Sequence, residues 1–199
     1  IARMILMTEF ALGEVPFKAV YLHGLVRDAK GRKMSKSLGN VIDPLDMTEK
    51  YGADAVRLAL FIGTSPGQDT RLDEQKIAGY AKFVTKVWNI ARYVLAQPQA
   101  DSPKPQADES DSLKLEAVSL QLGIADHWIL AKREQLIRDV TAAYEAHEYS
   151  KAAQLAYDFA WHEFADWYVE ATKANREQGT KNREPQQRIL IGTLETILK

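Results

Sequence analysis

The chain contains no cysteine, so disulfides and thiolate metal sites are excluded. Histidine is sparse too. The four present are scattered, and no two sit at metal-ligand spacing on one helix face. Neither charge sign dominates: 26 Lys+Arg stand against 27 Asp+Glu, for a formal net charge of −1. A protein that coats nucleic acid non-specifically is usually more basic, so any such contact must come from local patches. Long apolar runs are missing. The opening Met4-Ile5-Leu6-Met7 is followed at once by Thr8 and Glu9, too short to span a bilayer and without a signal-peptide cleavage pattern. No internal repeat is visible. These absences lead to the expectation of a cytoplasmic protein without membrane contact. The start at Ile1-Ala2-Arg3, with no Met, leads to the expectation of a piece cut from something longer.

What is present suffices for one large domain or two small ones, since 46% of the 199 residues are hydrophobic. The first third is mixed in pattern. Residues 4–12 read as a helix end, and Phe17 to Val26, rich in β-branched and aromatic residues, reads as a strand. Asp43 and Pro44 are placed to open a helix from Leu45 to Tyr51, Gly52 breaks it, and a second helix spans Ala53 to Phe61. Thr64-Ser65-Pro66-Gly67-Gln68-Asp69 is turn chemistry and an expected domain boundary.

Beyond that turn every periodic segment is helical. Ile77, Tyr80, Ala81, Val84, Val87, Trp88, Ala91, Val94 and Leu95 recur at steps of three and four and predict one inward stripe. Residues 97–112, with three prolines and four acids, predict an exposed, mobile loop. Asp126 is the expected cap of a helix to about Ala146, with Ile129, Leu136, Ile137, Val140 and Tyr144 inward. Ser150 is the expected cap of the next, running to about Arg176, with Leu155, Ala156, Phe159, Ala160, Phe164 and Trp167 inward. Pro185 in a first turn starts a last helix with Leu190, Ile191, Leu194, Ile197 and Leu198 apolar. The tryptophans at 88, 128, 161 and 167 lie on or near these stripes and are expected in the core. Glu163, Asp166 and Glu170 read as helix-surface charges or partners within the bundle.

The stretch with chemistry in it is Arg27 to Asn40. Five of the ten residues from Arg27 to Lys36 are cationic, Gly31 and Gly39 permit tight turns, and Ser35 and Ser37 offer hydroxyls. It follows the predicted strand and precedes a helix, the place where open α/β sheets bind ligands. A polyphosphate needs such a loop, with lysines as point charges and hydroxyls and backbone N–H groups completing the shell. Lys33 and Lys36 are the natural phosphate ligands. A solvated basic loop or a generic RNA-contacting patch is the competing reading.

The string Lys33-Met34-Ser35-Lys36-Ser37 resembles the K-M-S-K-S signature of class I aminoacyl-tRNA synthetases. A specified five-residue string arises by chance in a chain of this length about once in ten thousand. The flanks, Val20 to Asp28 before it and Leu38 to Pro44 and Lys50 to Arg57 after it, resemble the valine, isoleucine and leucine branch. Three stretches resemble its valine-specific members: Phe17 to Gly24, Ser65 to Leu72, and Phe164 to Glu170. Ala165 departs from that pattern, which has a cysteine there.

The resemblance implies a mainly α chain: the C-terminal remnant of a Rossmann-like α/β catalytic domain (residues 1–65), then an α-helical anticodon-binding bundle (66–199) truncated at its end. It implies ATP as substrate, with Mg2+ bound through the nucleotide, tRNA of the valine isoacceptors as partner, and a monomer. Lys36 would contact the ATP phosphates with Lys33 assisting. Met34, Ser35 and Ser37 would shape the loop, and His23 and Gly24 would line the nucleotide site. Without nucleotide the loop should stand open or disordered. Candidate RNA contacts are Lys173, Arg176, Lys181, Arg183 and Arg188, whose charges would meet phosphates. The family's other signature, His-x-Gly-His, does not occur here, so the chain alone is expected to lack aminoacylation activity. An isoleucine- or leucine-specific relative, or a stand-alone RNA-binding helical module, are the alternatives. Asp54 and Arg57, three apart, read as an ion pair, with a weaker expectation that they brace the loop against the bundle.

Overall fold

The computed structural model describes residues 1–96, 122–177 and 183–199; the side chains of 175–177 and 183–184 are outside that description. The loop expected over 97–112 therefore lies outside the described residues. Helix α1, Ala2–Leu12, ends where Gly13 turns to φ 71 and donates its N–H to the Glu9 carbonyl, and it buries no residue. The only sheet among the described residues is parallel and short: β1, Val26–Arg27, pairs Val26 with Thr70 and Arg27 with Arg71 of β2, Thr70–Arg71. This corrects the strand expected over Phe17 to Val26. A strand needs a ladder partner, and residues 17–25 get only isolated bonds, such as Gly67 N–H to the Leu22 carbonyl at 2.8 Å.

Helix α2, Pro44–Tyr51, begins as its sequence requires, with the Asp43 carboxylate accepting from the Leu45 N–H and Pro44 at the first position. Gly52, at φ 88, separates it from α3, Ala53–Phe61. Helix α4, Glu74–Leu95, is capped by Asp73, whose carboxylate accepts from the Lys76 N–H at 2.7 Å. Ala55, Val56 and Ala59 of α3 meet Leu72 and Ile77 in a small core, against which Met34, Ile42 and Met47 pack.

A second, larger core joins Val94 of α4 to three further helical stretches. These are α5, Ile124–Glu145; a continuous rod made of α6, Tyr149–Asp158, a π-helical segment Phe159–Val169 and α7, Glu170–Glu177; and α8, Arg183–Leu198. The caps differ from expectation. Gly123 precedes α5, and Asp126, one turn in, takes the Gly123 N–H on one oxygen (2.9 Å) and the Tyr168 hydroxyl on the other (2.8 Å). Ser150 does not cap its own helix; its Oγ accepts from the Gly63 N–H at 2.8 Å.

The π segment changes which residues face inward. Its buried pairs are Phe159/Ala160, Phe164/Ala165 and Tyr168/Val169, spaced by five and four rather than three and four. An i→i+5 ladder turns each following residue through a smaller angle than an α-helix does, so inward positions recur at wider spacing. Tyr168 thus takes the interior, and Trp167, expected inside, stands 72% exposed. Trp88 is 66% exposed and Trp128 is exposed as well, while Trp161 stacks on Phe83 and Tyr157. On α4 it is Phe83 that enters the interior. Leu95, Ile137, Tyr144 and Leu198 are exposed too, where their stripes had predicted inward positions.

Candidate functional site

The cationic segment folds as a pinned hairpin at the carboxyl end of β1. Arg27 and Lys33 form an antiparallel bridge, and the turn between them is closed by Asp28 N–H to the Arg32 carbonyl (3.0 Å) and Gly31 N–H to the Asp28 carbonyl (2.8 Å). Gly31 sits at φ 77, a conformation that favours a residue without Cβ. The buried Asp28 carboxylate accepts from the Arg32 backbone N–H (2.8 Å), the Arg32 guanidinium (2.9 Å) and the Asn40 amide (3.0 Å). The Asn40 hydrogen bond is the main cause that holds the Asp28 carboxyl down to about 2, with Arg32 adding to it against the opposing effect of burial.

Asn40 is the buckle. Its amide NH2 also donates to the Lys33 carbonyl at 3.2 Å, while its oxygen accepts from the Ser35 N–H at 2.9 Å. The first part of the motif, Lys33 to Ser35, is thereby tied through Asn40 to Asp28 of the hairpin. Between these ties Lys36 to Leu38 makes one 3-10 turn, ended by Gly39 at φ 61. The hydroxyls of Ser35 and Ser37 lie 3.1 Å apart. Met34 turns inward onto the small core, whereas Lys33 and Lys36 are exposed, and among the described residues their side chains take no ion pair or hydrogen bond. Asp28 and Asn40 supply the charge-assisted and amide bonds that order the loop.

The hairpin's base is fixed by Asp69. One carboxylate oxygen accepts from the Leu25 N–H (2.8 Å) and the other from the Arg27 guanidinium, which together hold the Asp69 carboxyl below its ordinary range. Gly24 is needed for close approach, since a Cβ there would lie 1.8 Å from the Gln68 carbonyl oxygen. His23 is exposed and gives its Nδ1–H to the Gly24 carbonyl at 2.9 Å, so it is no buried histidine, and no bond joins it to Lys33 or Lys36. The sequence alone assigns no distinct role to Asp28, Asn40 or Asp69. The available signals were a short polar side chain just before a turn and one just after a left-handed glycine.

Of the cationic residues proposed to meet RNA, Lys173 pairs with Glu170 at 2.6 Å and lies 5.1 Å from the centre of the Tyr93 ring. Arg188 is exposed on α8 and has interactions of its own. Lys181 and the side chains of Arg176 and Arg183 lie outside the described residues. Glu163 and Asp166 pair across helices with Lys132 (2.8 Å) and Lys86 (2.6 Å) as surface charges. Asp54 and Arg57 pair with each other at 3.4 Å, largely in solvent, and among the described residues neither side chain bonds to the loop or the bundle. Among the described residues no helix is long and apolar enough to cross a membrane.

Comparison with known proteins matches two separate parts of the chain. Residues 1–73 match the model for class I tRNA synthetases (I, L, M and V), and residues 126–199 match the anticodon-binding domain of tRNA ligase. A valine–tRNA ligase of Pseudothermotoga lettingae is 43% identical over 199 residues, all of this chain and 21% of that protein. One from Clostridium acetobutylicum is 46% identical over 173 residues, 87% of this chain and 18% of that protein. The chain thus spans about a fifth of the length of these relatives. Among solved structures, a LeuRS–tRNA–LeuAMS ternary complex from Agrobacterium radiobacter aligns with TM-score 0.64 at 23% identity, covering 98% of this chain and 22% of that one. The Mycobacterium tuberculosis methionyl-tRNA synthetase bound to methionyl-adenylate aligns with TM-score 0.63 at 23% identity, covering 88% and 33%. At that identity the likeness speaks for the fold.

Proposed function

Because the chain belongs to the class I aminoacyl-tRNA synthetase family, we propose that it carries the ATP loop and the anticodon-binding helices of a valine–tRNA ligase. That enzyme would join valine to ATP, releasing pyrophosphate, and pass the valyl group to its tRNA. The carboxylate oxygen of valine attacks the α-phosphorus as the bond to pyrophosphate breaks, so negative charge grows on phosphate oxygens. Fixed cations act most strongly on charge that develops in this way. Lys36 is the residue assigned to those oxygens, with Lys33 beside it, and Ser35 and Ser37 supply hydroxyl donors. Met34 anchors the loop, and His23 and Gly24 border the nucleotide. Mg2+ would arrive bound to the nucleotide.

One observation carries this reading: in a chain with a 43% identical valine–tRNA ligase relative, Lys33 and Lys36 are exposed and unpaired on a hairpin ordered by Asp28 and Asn40. A site whose cations already face outward has no internal ion pair to break before it meets phosphate. The division assigned here is residues 1–65 to the catalytic part and 66–199 to the RNA-binding part, with Lys173, Arg176, Lys181, Arg183 and Arg188 toward the tRNA. The protein would act as a cytoplasmic monomer, and the 199-residue chain alone would not aminoacylate. Valine rather than isoleucine or leucine is favoured by the names of the relatives.

The test is a chimera in which this chain replaces the matching fifth of the Pseudothermotoga lettingae enzyme. Valine-dependent exchange of pyrophosphate into ATP is the expected result, with none driven by leucine. A chimera that folds cooperatively and gives no valine-dependent exchange would overturn the assignment.

A further inference from the structure

Three consecutive residues at the end of α3 are held by the helical bundle. The Ile62 carbonyl accepts from Lys76 Nζ of α4 at 3.0 Å, and burial against this region lowers the Lys76 ammonium from its ordinary value. The adjacent Gly63 N–H, at φ 82, donates to Ser150 Oγ of α6 at 2.8 Å. The Phe61 ring lies 6.2 Å from that of Tyr149, which also meets Tyr21 (5.4 Å), on the segment leading into β1, and Tyr144 (5.7 Å), on α5. α3 also supplies Ala55, Val56 and Ala59 to the small core they form with Leu72 and Ile77, against which Met34, the second residue of the cationic motif, packs. One short helix thus shares a core with Met34 of the loop and meets the bundle at its end.

The corner on the bundle side is strained. His147 is the one non-glycine residue with positive φ among the described residues, at 59. It follows α5 in the position usually given to glycine, with His147 N–H on the Tyr144 carbonyl (3.0 Å) and Glu148 N–H on the Ala143 carbonyl (2.8 Å). A side chain kept in that conformation needs a reason, and the His147 ring lies 5.9 Å from Tyr149, edge-on.

We propose that the corner from His147 to Ser150, gripping residues 61–63, is a positioning joint that couples RNA engagement of the bundle to the geometry of the Lys33–Lys36 loop. The inference rests on the reading that the bundle takes RNA. The corner residues touch neither nucleotide nor RNA; they act through α3 and Met34. The joint is local and two-sided: one face belongs to the bundle, the other to the element under the loop.

The test is amide hydrogen exchange of the 199-residue chain, alone and with a tRNA transcript bearing a valine anticodon. In the unaltered chain, RNA should change exchange at residues 33–40 and 61–63 by about 2- to 30-fold, the size of ordinary intramolecular coupling. In Ser150→Ala and His147→Gly the RNA affinity should stay the same while the change at 33–40 disappears. Ser150→Thr, which keeps the hydroxyl, should restore it. His147→Gly also relieves the positive φ, so a melting temperature that does not fall separates lost coupling from lost stability. If RNA binds and the loop does not respond, or responds equally in both variants, the joint is refuted alone. If RNA does not bind the chain, the reading beneath it falls and the joint with it.

Discussion

From Ile1 to Arg27 no side chain is buried, and the hairpin that follows is tied by Asp28, Asn40 and Asp69, whereas Phe164, Tyr168, Val94 and Leu190 of the bundle are almost wholly removed from water in one apolar core. The two regions store their order differently. In the bundle it lies in apolar area, which is indifferent to pH and spread over many contacts. In the loop it lies in a handful of directional bonds to carboxylates and one amide, each of which a single substitution can remove. That division suits the proposed roles, since a loop that must close over a nucleotide cannot be welded into a core.

The sharpest way to break the comparison is to empty one site on each side. Phe164→Ala should cost the fold about 3–5 kcal/mol in urea denaturation, as a fully buried aromatic does, and leave exchange at the loop amides unchanged. Tyr168→Phe should cost about 1–3 kcal/mol, because it leaves the buried Asp126 carboxylate with the Gly123 N–H alone.

Acid should separate the regions next. The Asp28 carboxyl is held down to about 2 in the folded hairpin, against its ordinary value of 3.8. A depressed carboxyl stabilises above its unfolded value and loses that contribution as pH falls through the folded one. The Arg32 and Ser35 amides should therefore keep their protection above about pH 4 and lose it progressively toward pH 2. Their loss should come before that of the bundle amides. The smallest effect is expected at Arg57→Ala, about 0.5 kcal/mol or less for an exposed pair, with small-angle scattering unchanged.

These contrasts also explain which parts could be read from the sequence. The helices α2 to α4 announced themselves through Asp43, Pro44, Gly52 and the stripe from Ile77 to Val94, because local capping and 3.6-residue periodicity are written in neighbouring residues. The π segment was not legible. A five-residue step can be read from Phe159, Phe164 and Val169 only once the ladder is known, so α-helical periodicity turns Trp167 inward and passes over Tyr168. The strand over Phe17 to Val26 failed for another reason. Its composition suits a sheet, but strand formation depends on a partner ladder, which composition cannot supply. At the site the position of Lys33 and Lys36 was legible as a string, while the buckle was not, because Asn40 acts across five to twelve residues of chain. Ser150 is instructive: its local sequence suits a helix cap, but its hydroxyl accepts from the distant Gly63 N–H instead.

The claim that everything else depends on is that Lys36, with Lys33, acts on the phosphates of ATP. In the chimera described above, Lys36→Ala should lower the rate of valine-dependent pyrophosphate exchange by about 100- to 1,000-fold. The melting temperature should not change, since the side chain is exposed and unpaired. An exchange rate within about twofold of the unaltered chimera, under the same conditions and with the loop still folded, would contradict the account.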